Sequence, residues 1–165
     1  MVTLSPETPE DIIKLGEQVL THCRESFPHE RWETLSKNVS SRIGKLAHLS
    51  PLYRRLVEQN PEYLIWLEHS QNRKEDFRFT ALRDEWETVK NANHINDRND
   101  HNFLSVLRGF RRKISLRIAY RDINEIVHPK ISVEELSHLA EFCMDECYLL
   151  ATSQWTKRYG EPWDE

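Results

Sequence analysis

The chain has little of what several common protein classes require. Its 165 residues include only four glycines and three cysteines, and no apolar run approaches the roughly 18 residues that a membrane span needs. Few glycines and few alternating Val/Thr segments argue against a β-rich fold. An odd, sparse set of cysteines fits reduced thiols better than a disulfide framework. Because residues 1–11 also lack the pattern of a secretory signal, we expect a cytoplasmic protein without a membrane partner.

An overall excess of positive charge is also missing. The formal net charge is −4, although 30% of the residues are charged. A general nucleic-acid binder shows clustered excess positive charge. The composition therefore makes nucleic acid an unlikely partner, and any basic surface must be local.

Apolar residues at helical spacing occupy most of the chain. Thr8-Pro9, Ser50-Pro51 and Asn60-Pro61 each have the form of a helix start, a capping residue followed by proline. The polar stretches 71–76 and 91–102 read as breaks. The pattern predicts an all-α fold of about six to eight helices in an irregular bundle. We expect one domain over residues 1–165, with helical subregions 1–70 and 75–160.

The last predicted helix begins at a capping box formed by Ser132 and Glu135 and ends near Tyr159, with Gly160 as its C-cap. One apolar stripe along this helix is predicted to face the core. Its residues are Leu136, Leu139, Ala140, Cys143, Cys147, Leu150 and Ala151.

The most distinctive segment is Leu104–Asp122, predicted to lie in a helix from about residue 100 to residue 126. It contains no acid before Asp122. On an ideal helix Arg117 and Arg121 fall beside its apolar stripe, where a cation is costly without an acidic or anionic partner. The stripe is Leu104, Leu107, Phe110, Ile114 and Ile118, and the basic residues are Arg108, Arg111, Arg112, Lys113, Arg117 and Arg121.

This arginine-rich helix is predicted to pack on the C-terminal helix, and three kinds of partner are open. Acids of neighbouring helices such as Glu141, Asp145 and Glu146 would give it a purely structural role. An acidic or phosphate-bearing domain or protein would make it a docking element. Nucleic acid is the third and weakest alternative.

No residue qualifies as catalytic, cofactor-binding or metal-binding from its pattern alone. Glu135-x-x-His138 has the spacing of half a di-iron site, but no second copy exists. The phosphate-loop, dinucleotide and hydrolase motifs are absent. A zinc site would have to combine Cys143 and Cys147 with Cys23 and His22, and core cysteines explain the same positions better.

The segment Leu107–Ile123 resembles the helix that precedes the first nucleotidyltransferase domain of the glutamine-synthetase adenylyltransferases. Residues 50–67 are similar to an early helical pair of that family, and residues 136–162 to the helix leading to its first catalytic strand. The family typically shows a leucine, a run of arginines and an Arg-Ile-x-aromatic-Arg-Asp segment. Those places hold Leu107, Arg111, Arg112, Arg117, Ile118, Tyr120, Arg121 and Asp122.

This resemblance implies a large bifunctional cytosolic enzyme that controls glutamine synthetase. One domain attaches AMP from ATP to a tyrosine of the synthetase, and the other removes it by phosphorolysis, yielding ADP. Both use metal-binding aspartates on a Gly-…-Ser-Asp-x-Asp strand, so ATP and magnesium are implied for the parent protein. Glutamine synthetase and the PII signal protein are the implied partners.

The sequence departs from the family because it contains no Ser-Asp-x-Asp motif. No catalytic residue is therefore carried over, no cofactor is expected in this segment, and whether it has any activity of its own is left open. We expect the N-terminal, non-catalytic part of a longer protein, set against its own downstream nucleotidyltransferase domain. The residues expected to face that domain or a phosphate are Arg108, Arg111, Arg112, Arg117, Arg121 and Asp122. The alternative is a stand-alone helical module that binds an acidic partner.

Overall fold

The computed structural model describes residues 8–35, 38–69, 79–98 and 101–161. These residues form seven α-helices and one short 3₁₀ helix, with no strand among them, and so confirm the all-α prediction. No helix in these ranges combines the length and apolarity needed to cross a membrane. The helices are α1 (Pro9–Ser26), the 3₁₀ helix (Glu30–Thr34), α2 (Val39–Leu49), α3 (Pro51–Gln59), α4 (Glu62–Glu68), α5 (Phe79–Ala92), α6 (Phe103–Ile123) and α7 (Pro129–Tyr159).

The chain divides into two compact units. Unit 1 takes its residues from Met1–Glu75 and Leu116–Pro129, and unit 2 from Asp76–Ser115 and Lys130–Glu165. Helix α6, the arginine-rich helix, contributes its first half to unit 2 and its second half to unit 1. The predicted polar break at residues 71–76 lies outside the described residues.

In unit 1 the predicted helix starts are found where proline and a capping side chain coincide. Thr8 and Asp11 form a capping box at α1: the Asp11 N–H donates to Thr8 Oγ1 (3.3 Å), and the Thr8 N–H donates to Asp11 Oδ2 (3.1 Å). The Ser50 hydroxyl caps α3 by accepting from the Tyr53 N–H. Asn60 does not cap α4, because its amide instead donates to the Leu56 carbonyl at 2.8 Å.

Helices α1 and α2 cross at a pair of glycines that allows their backbones to meet. A Cβ placed on Gly16 would lie 1.8 Å from the Ser40 carbonyl oxygen, and one on Gly44 would lie 1.9 Å from the Ile12 carbonyl oxygen. No side chain fits at either position unless the helices move apart. The apolar residues beside this crossing, together with α3, α4 and the second half of α6, build the core of the unit, which includes Val19, Leu20, Ile43, Leu46, Val57, Leu64, Leu67, Leu116 and Tyr120.

Unit 2 is organised around an aromatic cluster. The Trp86 ring of α5 lies 5.7 Å from Phe103 and 5.3 Å from Phe110, both on α6. Phe110 in turn lies 5.5 Å from Phe142 on α7. Rings at these separations in edge-on and tilted arrangements interact favourably beyond their buried area. The arginine-rich helix therefore does pack on the C-terminal helix, as predicted.

Helix α7 differs from the sequence prediction at its start. It begins at Pro129, one turn before the predicted capping box, because proline at the first helical position is already set for helical φ. Ser132 and Glu135 consequently lie inside the helix, so the capping-box assignment was wrong. The C-terminal end is as predicted, since Gly160 has φ +83° and its N–H bonds to the Thr156 carbonyl.

The buried stripe of α7 also differs from the one predicted. Leu139 and Leu150 are buried, but Leu136, Ala140, Cys147 and Ala151 are exposed. The helix carries two apolar stripes, and helical periodicity alone could not decide which one faces its own unit. The buried residues are Ser132, Glu135, Leu139, Phe142, Glu146 and Leu150.

Candidate functional site

The first half of α6, in unit 2, exposes most of its positive charge. Arg108, Arg111 and Arg112 are exposed. Lys113 is mostly buried and forms an ion pair with Glu85 of α5, with Nζ 2.7 Å from Oε1. This half therefore presents three arginines to solvent while its apolar side packs in the aromatic cluster.

The second half of α6, in unit 1, is buried nearly all round. Arg117 and Arg121 are fully buried one turn apart, which agrees with their predicted place beside the apolar stripe. Both interact with other groups of the chain. Asp122, which follows them, is exposed. The six candidate residues are thus split, with two arginines in the interior and three arginines and the aspartate at the surface.

A buried polar cluster in unit 1 was not anticipated from the sequence. The Glu68 carboxylate, at the end of α4, lies with both oxygens 3.1 Å from Arg42 Nη1 of α2. It also accepts a short hydrogen bond from the Tyr120 hydroxyl of α6. Burial, and then the Glu68 charge, raises the pKa of Tyr120. The cluster connects α2, α4 and α6. Its only sign in the sequence was the acidic residue at the end of a strongly apolar helix.

Neighbouring acids take roles other than the expected ones. Glu146 pairs with Arg98, which precedes α6, at 3.3 Å. Glu141 and Asp145 are exposed. The ion pairs seen in this unit, Arg98 with Glu146 and Lys113 with Glu85, therefore differ from those expected.

Among the described ranges no group of three or more His, Cys, Asp or Glu side chains gathers in a way that could hold a metal ion. Cys23 is buried in unit 1, whereas Cys143 and Cys147 lie on α7 in unit 2. Burial raises the pKa of the Cys143 thiol, and the nearby Arg111 opposes that shift. The polar contacts described above connect α2, α4 and α6 in unit 1 and, in unit 2, α5 with α6 and Arg98 with α7.

A second exposed feature is apolar and lies on α7. Seven of the eleven large hydrophobic side chains exposed in the described residues belong to this one helix. Six of them share one side of it and are called here the α7 apolar face: Val133, Leu136, Met144, Tyr148, Trp155 and Tyr159. Sequence reasoning missed this surface because it assigned its stripe to the core.

Fold and site together define an all-α protein whose two longest helices expose a cationic surface and an apolar surface. The chain belongs to the glutamate-ammonia ligase adenylyltransferase family, whose model matches residues 40–165. It is 30% identical over 111 residues to the bifunctional glutamine synthetase adenylyltransferase/adenylyl-removing enzyme of Hahella chejuensis (strain KCTC 2396). That match covers 64% of this chain and 11% of the relative, so the chain spans a small part of the relative's length. No solved structure matches the chain.

Proposed function

We propose that this chain is the N-terminal, non-catalytic helical segment of a bifunctional nucleotidyltransferase that adenylylates and deadenylylates glutamine synthetase. The observation that carries the proposal is the family match over residues 40–165, which falls on an all-α chain whose sequence contains no Ser-Asp-x-Asp motif. The matched relative is named for both activities and is many times longer than the match. Catalysis is accordingly assigned to the remainder of such a polypeptide.

The arginine-rich helix has two roles in this proposal. Nucleotidyl transfer depends on positioning and on charge stabilisation by metals and basic groups. The exposed Arg108, Arg111 and Arg112 offer a cationic surface to an acidic or phosphate-bearing domain. The fully buried Arg117 and Arg121 hold the helix within unit 1. Only the first group is therefore placed to meet a partner.

ATP and magnesium belong to the parent protein in this account, and none is assigned to the segment. Magnesium is bound in proteins by carboxylates together with water and substrate phosphates. Among the described residues, no three or more His, Cys, Asp or Glu side chains gather where they could hold a metal ion. We further propose glutamine synthetase and the PII protein as partners of the parent protein, which we expect to act in the cytoplasm.

The most direct test is the reading frame that follows the codon for Glu165. The proposal expects it to continue into a Gly-…-Ser-Asp-x-Asp segment. We call the longer protein encoded by such a frame, which includes the catalytic domain, the continuous polypeptide. In it, replacing Arg111 and Arg112 with alanine should slow deadenylylation without lowering the melting temperature, since both side chains are exposed. A stop codon directly after Glu165 would contradict the proposal.

The alternative is a stand-alone module that binds an acidic protein, and the exposed Arg108, Arg111 and Arg112 favour it. It predicts a stop codon near Glu165 and a partner that is retained at low salt and released as salt rises, because exposed charge pairs are screened. Substituting glutamate at Arg112 should then abolish retention of that partner.

A further inference from the structure

The α7 apolar face gathers six large exposed hydrophobic side chains on one side of a single helix. Met144 is 72% exposed and Trp155 is 64% exposed. From Val133 to Tyr159 the face runs about 39 Å along the helix at 1.5 Å per residue. Contiguous exposed apolar patches of this kind mark interaction sites. The same helix buries its opposite side in unit 2 through Leu139, Phe142 and Leu150, among others.

The shape of the face indicates a globular partner rather than a second copy of the helix. At about 100° per residue its six side chains span a sector of about 140°. A width above about 100° is typical of helices packed in globular cores, whereas a coiled-coil seam is narrower. If Val133 and Leu136 occupied positions a and d of a strict heptad repeat, later a and d positions would hold the buried Leu150 and then the polar Gln154 and Lys157. The sequence therefore does not sustain a left-handed coiled coil.

The charges along the face argue against a lipid surface. One edge is lined by the exposed acids Glu134, Glu141 and Asp145. Helices that lie on membranes carry lysine and arginine on their polar face, because anionic lipids attract them. An acidic edge instead complements a protein surface in which an apolar patch is bordered by lysine or arginine. At the C-terminal end, the Tyr159 ring lies 4.9 Å from the Trp155 ring in a tilted arrangement, and the Arg158 guanidinium lies over the Tyr159 ring at 5.2 Å.

We propose that the α7 apolar face is the docking surface for the nucleotidyltransferase domain of the same polypeptide. This inference rests on the proposed function. It is supported by the length of the matched relative, because only 11% of that protein corresponds to this chain and most of it lies outside the match. The arginines of α6 then guide or supplement docking, while the face of α7 supplies the buried contact area.

Met144 gives a direct probe of this contact, because the chain has only one other methionine, at its first residue. Peroxide oxidation of Met144, followed by peptide mass spectrometry, should be fast in the 165-residue chain. It should be at least tenfold slower in the continuous polypeptide that includes the catalytic domain. Equal rates in the two proteins would overturn the proposal. Protection that arises in the 165-residue chain and grows with its concentration would overturn it too, by identifying a second copy as the occupant.

Two matched variants separate docking from folding. Met144→Glu should leave the melting temperature of the 165-residue chain unchanged and lower that of the continuous polypeptide. Leu52→Glu removes an equally exposed side chain, also 72% exposed but on α3, and should change neither. Equal effects of both variants would contradict the assignment. A stop codon after Glu165 would refute the proposed function and this inference together, whereas a continuing frame with a reactive Met144 would refute the docking alone.

Discussion

At the glycine pair where α1 and α2 cross, we predict that a glycine-to-alanine substitution lowers stability, which is the opposite of what helix propensity alone would give. Replacing glycine with alanine inside a helix normally stabilises it by about 0.5–1 kcal/mol. At Gly44, however, the new Cβ would lie 1.9 Å from the Ile12 carbonyl oxygen, where ordinary contact begins near 3.4 Å. The obstacle is backbone and not a flexible side chain, so the two helices must separate. Gly44→Ala should therefore destabilise unit 1.

The size of the effect follows from two opposing contributions. Overpacking a close contact typically costs about 1–3 kcal/mol, and a backbone clash lies at the upper end of that range. Subtracting about 1 kcal/mol of helix propensity leaves a net loss of about 2 kcal/mol. In a chain of this size that corresponds to a melting temperature lower by about 4–8 °C.

Gly109 in α6 provides the matched control. A Cβ there would have nothing within 4 Å, so Gly109→Ala should raise stability by about 0.5–1 kcal/mol. Both variants can be compared with the unsubstituted 165-residue chain by urea unfolding, monitored by circular dichroism. If Gly44→Ala proves as stable as Gly109→Ala, the close crossing of α1 and α2 is wrong.

Three further predictions concern buried groups. Arg121→Ala should cost about 3–5 kcal/mol in urea unfolding because it removes a large, fully buried side chain and the interactions it makes. The exposed Arg112→Ala should stay within about 0.5 kcal/mol, and equal losses would contradict this division of the arginines. Tyr120→Phe should cost about 1–3 kcal/mol, since a buried carboxylate loses a donor, and an unchanged unfolding midpoint would argue against that cluster. Iodoacetamide at pH 8 should modify Cys147 quickly and Cys23 slowly. Because burial and a nearby carboxylate raise the pKa of Cys23 to about 12, its rate should keep rising above pH 9, and a plateau near pH 9 would refute this.

Local sequence signals predicted much of the fold. The N-cap at Thr8 and the proline starts at Pro9 and Pro51 are recognisable because the residues that satisfy free backbone groups are adjacent in sequence. Periodicity also placed Arg117 and Arg121 beside the apolar stripe, and both are buried. Features decided within a few residues were therefore accessible before the structure was known.

Features that depend on distant residues were not accessible. The role of Gly44 depends on Ile12 of another helix, and the burial of Glu68 depends on Arg42 and Tyr120. Helix α7 has apolar residues on two sides, so its pattern could not tell a buried stripe from an exposed one. The choice was made by the aromatic cluster with which Phe142 packs.

The central claim is that this chain supports nucleotidyl transfer without performing it. The most direct measurement incubates the purified 165-residue chain with adenylylated glutamine synthetase, inorganic phosphate and magnesium, and follows ADP by chromatography. The account predicts no ADP above the enzyme-free blank, while the continuous polypeptide releases it under the same conditions. Steady release of ADP by the 165-residue chain alone would contradict the account.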